Sequence, residues 1–489
     1  MTHQIRRLWL VMLAFFVALF VSTSVIQVVQ ADALSAHERN RRALYDSYQV
    51  ERGAILAGDT TIAFSEPSND VYAYQRVYPA QDAAMWAAVT GWFNPVIGSS
   101  RGIEQAANAQ LSGTSSSQFL QRLEQIVSGQ KPQGGTVQLS LDPAVQKAAW
   151  DALGDLQGAV VAIEPSTGRI LAMVSKPAFD PNTLATHDDA SVNTSYAALE
   201  ANAQHPLDNR AIGGNMNPPG STFKLVVASA ALSSGKYTPE STFPNPARFT
   251  LPGTSTEISN FTGGACGGGG DTVTLADALR FSCNIPMAEL AIELGGDAIR
   301  DEAEKYGFDH VFETPLASTA STYPSNAMSP DQVGLTGFGQ YNVRATPLQM
   351  AMVAAGIANA GSVMNPTMID RVIAPDLSVQ QQTEPSEFRR ALSTQDAASM
   401  TAMMVQNVSN GVASGARIGG VDVAGKTGTA ENGPGNPYTF WFTGFAPAAD
   451  PKVAVAVVVE NGGGLGQEGL SNVLAAPVGK AVMEAVLNR

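Results

Sequence analysis

The first apolar feature of the chain is an unbroken one. From Leu8 to Ala31 no charge interrupts a run that holds Trp9, Phe15, Phe16 and Phe20. Its 24 residues suffice to cross a bilayer as one helix. Arg6 and Arg7 precede the run and Asp32 ends it. That charge distribution predicts a short cytoplasmic tail over residues 1–7, a transmembrane signal anchor over 8–31, and an extracytoplasmic remainder. Ala31-Asp32-Ala33 also fits a small-x-small cleavage site, but the apolar run is long for a cleaved signal, which favours an anchor that stays attached. Either reading exports the rest. No second run of that length follows, so a single-pass protein of the cell membrane is expected.

Beyond the anchor the apolar positions come in shorter groups. A polar, helix-prone stretch covers 34–48. Arg52 to Leu56 and Thr60 to Phe64 then read as short strands around a turn. Gly129-Gln130-Lys131-Pro132-Gln133-Gly134-Gly135 has the composition of a linker, which predicts an N-terminal domain over 34–135 and a second domain over 136–489. In the second domain Val137 to Leu141 leads into a helix from Pro143 to Leu153. Gly158–Ile163 and Arg169–Val174 form a hairpin around Pro165-Ser166-Thr167-Gly168. Near the end Phe440–Phe445 and Val453–Val459 pair, and a helix from Pro477 to Leu487 follows. Strands at both ends with helical segments between them predict an α+β class: one antiparallel sheet flanked by helices.

Composition changes this picture little. A chain of 489 residues with 44% apolar side chains has material for two folded domains. A net charge of -14, with no basic stripe, excludes nucleic acid as a partner.

Three short motifs carry chemistry. In Pro218-Pro219-Gly220-Ser221-Thr222-Phe223-Lys224 the proline and glycine stop the preceding chain, so Ser221 opens a helix and Lys224 lies one turn on along the same face. A serine hydroxyl needs a base within reach, and a lysine serves when its amine is neutral; the helix N-terminus and burial both lower its pKa. The bland reading of Ser221 is a helix cap. Ser233-x-x-Lys236 has the same spacing but sits at a helix end. In Phe281-Ser282-Cys283-Asn284, Ser282 has a hydroxyl able to relay a proton and Asn284 an amide able to hold a substrate amide. Val421 and Val423 alternate like a strand that continues into Lys426-Thr427-Gly428-Thr429, a seat for a carboxylate.

Two further strings are decoys. Gly420 to Thr427 matches the phosphate loop G-x-x-x-x-G-K-T, but Thr429 to Pro437 has no helix-forming sequence to follow it, so no nucleotide is expected. Gly98-Ser99-Ser100-Arg101-Gly102 matches the hydrolase elbow, yet His187, His205 and His310 stand in no suggestive setting. No metal-ligand spacing appears, and no metal or cofactor is expected.

Taken in order, Ser221-x-x-Lys224, Ser282-x-Asn284 and Lys426-Thr427-Gly428 resemble the three motifs of penicillin-binding proteins and serine β-lactamases. Asn209-Arg210-Ala211, Trp441-Phe442-Thr443-Gly444-Phe445, Arg52-Gly53-Ala54-Ile55 and Gly102-Ile103-Glu104 extend the resemblance to the class B transpeptidases over nearly the whole chain. The family implies a penicilloyl-serine transferase fold above a non-catalytic, dimerisation or pedestal-like N-terminal domain. It implies D,D-transpeptidation through an acyl-enzyme at Ser221, with Lys224 as base, Ser282 and Lys426 passing a proton to the leaving D-alanine, and Asn284 holding the substrate. Thr427 and Thr429 would bind its terminal carboxylate while Gly428 lets the substrate backbone lie close, with Ser221 and Thr429 N–H groups as oxyanion hole. Implied partners are D-Ala-D-Ala donor stems, acceptor amines, β-lactams, the membrane and a polytopic glycan polymerase. Alternatives are a D,D-carboxypeptidase or a non-catalytic sensor or scaffold. The deacylating E-x-x-L-N of class A β-lactamases occurs only after the third motif, at Glu484 to Asn488, which disfavours that activity.

Cys266 and Cys283 are the only cysteines, and an exported domain permits their oxidation. A bridge would fix the glycine-rich segment Gly263–Gly270 beside Ser282. The bland alternative is two unpaired thiols, one of them buried as a small apolar residue.

Overall fold

The computed structural model of the chain describes residues 2–26, 48–94, 99–115, 133–261 and 263–489. A helix runs from Thr2 to Ser24, with Phe15, Phe16 and Phe20 more than 60% exposed. It begins before the apolar run, so Arg6 and Arg7 ride on its first turns; arginine and glutamine are good helix formers. The end of the predicted anchor, the Ala31 cleavage site, almost all of 34–48 and linker residues 129–132 lie outside the described residues.

The C-terminal half is built on a five-stranded antiparallel sheet. Its spatial order is Ala424–Ala430, Thr439–Ala446, Val453–Val459, Gly158–Ile163 and Ile170–Lys176. Every residue of Val453–Val459 and Thr439–Ala446 is buried, because both sheet faces are covered. That is why these strands read as continuous apolar runs and not as alternation. Helices Pro143–Leu153 and Ala476–Leu487 cover one face, where Val145, Ala149, Phe442, Val455, Val457 and Val482 share a core. Helices Lys224–Ser233 and Pro347–Ala358 belong to the core on the other face, with Val226, Met350, Ala454 and Ala456. Each large aliphatic or aromatic side chain so buried contributes about 1.5–3 kcal/mol.

The second sheet has six strands, ordered Val379–Gln382, Ile369–Ile373, Thr136–Leu139, Ile55–Ala57, Thr60–Pro67 and Tyr74–Val77. Thr136–Leu139 pairs in parallel with Ile55–Ala57 and antiparallel with Ile369–Ile373. The sheet therefore takes strands from both sides of residue 135. Residues 133–135 are not a free spacer either: a Cβ on Gly134 would lie 1.7 Å from the Leu111 carbonyl, and one on Gly53 would lie 1.9 Å from that of Gly135. Beneath this contact Glu104 is fully buried between Arg52 Nε and Arg76 Nε, each at 2.6 Å.

One strand boundary differs from the sequence expectation. The lysine strand starts at Ala424; Val421 and Val423 precede it, after a turn through Gly419-Gly420 closed by an Ile418–Val421 bridge. Their alternation reflects packing against the same core as Val408 and Ala413, not strand pairing.

Candidate active site

Pro218, Pro219 and Gly220 deliver Ser221 into a 3-10 turn, Gly220–Phe223, from which the helix Lys224–Ser233 continues. The turn is clamped from three sides. Trp441 Nε1 donates to the Pro218 carbonyl at 2.9 Å, and Gly220 N donates to Gly339 O at 3.1 Å. Gly220 has φ +53°, and a Cβ there would lie 2.6 Å from the Thr429 carbonyl, so only glycine lets the turn approach the lysine strand. Gly428 repeats the constraint from the strand side, where a Cβ would lie 2.8 Å from Pro219 O.

Lys224 is completely buried. Its Nζ donates to Ser282 O at 2.7 Å, to Asn284 Oδ1 at 2.8 Å and, more weakly, to Ser282 Oγ at 3.4 Å. Lys426, equally buried, donates from Nζ to Ser282 Oγ at 2.7 Å and to Thr427 O at 2.9 Å. The structure thus brings Lys224, Ser282, Asn284 and Lys426 together from three separate elements. Among the described residues no hydrogen bond joins Ser221 Oγ to Lys224 Nζ. Such contacts commonly tighten only once substrate is bound.

Burial, and then repulsion from Lys426, hold the Lys224 ammonium well below the usual lysine range. Burial brings Lys426 down to about 7. Two lysines on one serine hydroxyl cannot both keep a proton cheaply, so the neutral amine that a base requires is favoured.

Ser282 has φ +59°, a left-handed backbone unusual for a non-glycine residue and characteristic of sites held by their surroundings. Cys283 N donates to Ala278 O, and Cys283 is joined to Cys266 with the two Cα atoms 5.7 Å apart. Asn245 grips the same segment: its Oδ1 accepts from Cys266 N and its Nδ2 donates to Cys266 O. Asn260 Oδ1 receives Asn284 N at 2.9 Å, and Asn284 Nδ2 reaches Ser259 O at 3.1 Å. Asn245 and Asn260 were invisible to sequence reasoning, because a lone polar residue in a loop carries no periodic signal.

Thr427 and Thr429 lie two residues apart on the strand, hence on one side of it. Thr429 Oγ1 lies 2.8 Å from Ser471 Oγ, and Ser471 in turn donates to Gly428 O. Thr429 therefore offers the cleft a lone pair until that bond rearranges, whereas Thr427 is not engaged by Ser471. The Gly420–Thr427 string places its lysine and threonine inside a strand, not at a helix start, so it makes no phosphate cradle.

A fully buried lysine beside a serine at a helix start, with a second lysine and a hydroxyl between them, is equipped for acyl transfer through a serine ester. Comparison with known proteins agrees. The family described as penicillin binding protein transpeptidase domain matches residues 158–484, and the penicillin binding protein A dimerisation domain family matches residues 52–137. Peptidoglycan D,D-transpeptidase PbpA of Mycolicibacterium smegmatis is 41% identical over 100% of this chain and 99% of its own. The PbpA of Mycobacterium tuberculosis is 40% identical over the same shares. Penicillin-binding protein A from M. tuberculosis, solved as a ceftriaxone acyl-enzyme complex, superposes with a TM-score of 0.87 at 39% identity, covering 91% of this chain and 100% of that one. Its penicillin G acyl-enzyme complex gives 0.83 at 40% identity, over 89% and 99%.

Proposed function

The chain belongs to the penicillin-binding protein transpeptidase family, and on that premise we propose that Ser221 is the residue its donor substrate acylates. The protein is a peptidoglycan D,D-transpeptidase, a serine enzyme that β-lactams acylate. The observation that carries the assignment is the Lys224–Ser282–Lys426 cluster beside the turn that holds Ser221, with Lys224 Nζ 2.7 Å from the Ser282 carbonyl and 3.4 Å from its hydroxyl, and Lys426 Nζ 2.7 Å from that hydroxyl.

In the proposed mechanism Lys224, neutral through burial, takes the Ser221 proton as Oγ attacks the penultimate D-alanine carbonyl. Backbone N–H groups of Ser221 and Thr429 receive the oxyanion. The C–N bond breaks, and the proton travels through Ser282, with Lys426 beside it, to the departing D-alanine amine. Thr427 and Lys426 hold the terminal carboxylate, with Thr429 joining once released from Ser471. Gly428 lets the strand lie close against the turn that presents Ser221, and Asn284 holds the stem amide. An amine of a neighbouring stem then attacks the ester, forming the cross-link and returning the proton to Ser221.

Acylation by a reporter penicillin, read by intact mass and peptide mapping, should be stoichiometric at Ser221 and absent in Ser221→Ala. Label on another residue, or unchanged labelling of the variant, refutes the assignment. Lys224→Ala should stay folded and acylate at least about a hundredfold more slowly, the usual size of a general-base effect.

The helix from His3 to Ser24 is long and apolar enough to span a bilayer. We assign it as an uncleaved anchor, with Arg6 and Arg7 on the cytoplasmic side and the catalytic domain outside. The protein should then stay with membranes through a high-salt wash; a released form beginning near Leu34 would refute this. The region of residues 34–135 is proposed as a non-catalytic docking domain for a polytopic glycan polymerase, on family analogy. Co-purification that survives Ser221→Ala but not substitutions on that region's surface would support it.

A further inference from the structure

Glu460 directly follows the strand Val453–Val459 and is only 3% exposed, yet it collects four side-chain donors. Its Oε2 accepts from Gln157 Nε2 at 2.9 Å, Arg210 Nε at 3.0 Å and Asn215 Nδ2 at 3.2 Å. Its Oε1 accepts from Asn217 Nδ2 at 2.8 Å. Arg210 is buried as well, and its terminal nitrogens are taken by the carbonyls of His205 and Gln204. One carboxylate therefore gathers Arg210, Asn215 and Asn217, the approach to the turn that carries Ser221.

From Asn217 the constraint passes toward the site. Thr439 Oγ1 donates to Asn217 Oδ1 at 3.2 Å, and Ala345 N donates to Asn217 O at 3.0 Å. The next residue, Pro218, is the one Trp441 Nε1 holds by its carbonyl. Burying a carboxylate is costly, and apolar side chains of equal volume fill such a place at least as stably. What four convergent donors supply instead is one geometry for the backbone that bears them.

We propose that Glu460 is a positioning residue for acylation: through Arg210, Asn215 and Asn217 it sets where Pro218–Gly220 presents Ser221 against the lysine strand. Glu460 touches no reacting atom, and the inference rests on Ser221 being the nucleophile. Its hydrogen-bond polarity makes it testable. In Glu460→Gln an amide NH2 faces that of Asn217, donor against donor. In Asn217→Asp two carboxylates face each other. In the double variant the glutamine amide donates to the new aspartate while its carbonyl still accepts from Arg210, and the aspartate still accepts from Thr439, so the pairing between 460 and 217 is restored with its polarity reversed, and only the Asn217 Nδ2 bond to Asn215 O at 2.9 Å stays lost.

The measurement is penicillin acylation of the full-length protein in detergent, resolved into the binding constant and the acylation rate constant, alongside thermal melting. Each single variant should acylate roughly ten- to a hundredfold more slowly, the scale of a misplaced reacting group, with the binding constant little changed. The double variant should recover most of the rate. If Glu460→Gln does not fold, Asn217→Asp against the double variant carries the same comparison. A single variant that melts lower but acylates at the wild-type rate, or a double variant that is no faster than the singles or does not fold, overturns the inference. Label absent from Ser221 in the wild-type protein would instead overturn the nucleophile assignment beneath it.

Discussion

Replacing Lys426 by methionine tests the electrostatics of the site through the pH dependence of acylation. Lys224 Nζ and Lys426 Nζ lie 3.4 and 2.7 Å from the same Ser282 Oγ, so the two nitrogens are at most about 6 Å apart. At an effective dielectric constant of about 20, two unit charges at that separation repel by about 3 kcal/mol, which corresponds to about two pKa units. Methionine fills the space of the lysine stem, one atom short of its amine, and removes that charge, so the Lys224 pKa should rise by roughly one to two units from its depressed value. In the proposed mechanism acylation requires Lys224 neutral, so the rate should fall as pH drops through that pKa. The acid limb of the profile should therefore move to higher pH in Lys426→Met. The alkaline limb, set by loss of the Lys426 proton near 7 in the free enzyme, should disappear. Stopped-flow acylation by a chromogenic cephalosporin, followed across the pH range in which the protein stays folded, records both limbs. The plateau rate will also fall, because Ser282 loses a partner, but the limb position is independent of it. An acid limb that stays in place or moves to lower pH refutes the coupling, and with it Lys224 as the titrating base.

Glu104→Ala leaves the Arg52 and Arg76 guanidiniums buried without their shared carboxylate, and should cost about 3–5 kcal/mol in denaturant unfolding; a loss under about 1 kcal/mol would remove the cluster from the stability account. Burial alone would raise the Glu104 pKa, but Arg76 and Arg52 outweigh it and hold it below the usual range. The stabilisation is therefore present above the unfolded carboxylate pKa and lost as pH falls through the lower folded value. The Cys266–Cys283 bridge closes a separation of 17 residues and should contribute about 3 kcal/mol in the chain-entropy model. Two free thiols in denatured, unreduced protein taken from its own compartment would refute the pairing. Because Asn245 also holds Cys266, reduction should lower the melting temperature and leave acylation within severalfold of the oxidised rate.

The three motifs that the proposed mechanism uses were legible because acyl transfer needs specific side chains at specific spacings, and Ser221, Lys224, Ser282, Asn284 and Lys426 follow that spacing in chain order. The five-stranded sheet was largely legible too, since strands buried on both faces leave apolar runs such as Val453–Val459. The six-stranded sheet was not. It pairs Thr136–Leu139 with Ile369–Ile373, and nothing local to either segment records a partner that far along the chain. The supports of the site were equally silent: Asn260, Asn245, Ser471 and Glu460 are single polar residues whose meaning lies in what folding sets opposite them. Val421 and Val423 show the converse error, an alternation produced by core packing and mistaken for strand pairing.

The six-stranded sheet also has a mechanical meaning. Bending the N-terminal region against the catalytic half would break backbone hydrogen bonds in the ladders on either side of Thr136–Leu139, so there is no soft joint at that level. The cleft behaves less like a hand on a wrist than like a jaw machined into its own mounting post. A force applied to residues 52–77 reaches the catalytic half as rotation of one stiff body, not as opening or closing. At the level of Thr136–Leu139, then, the N-terminal strands and the catalytic half approach a second stem peptide together or not at all.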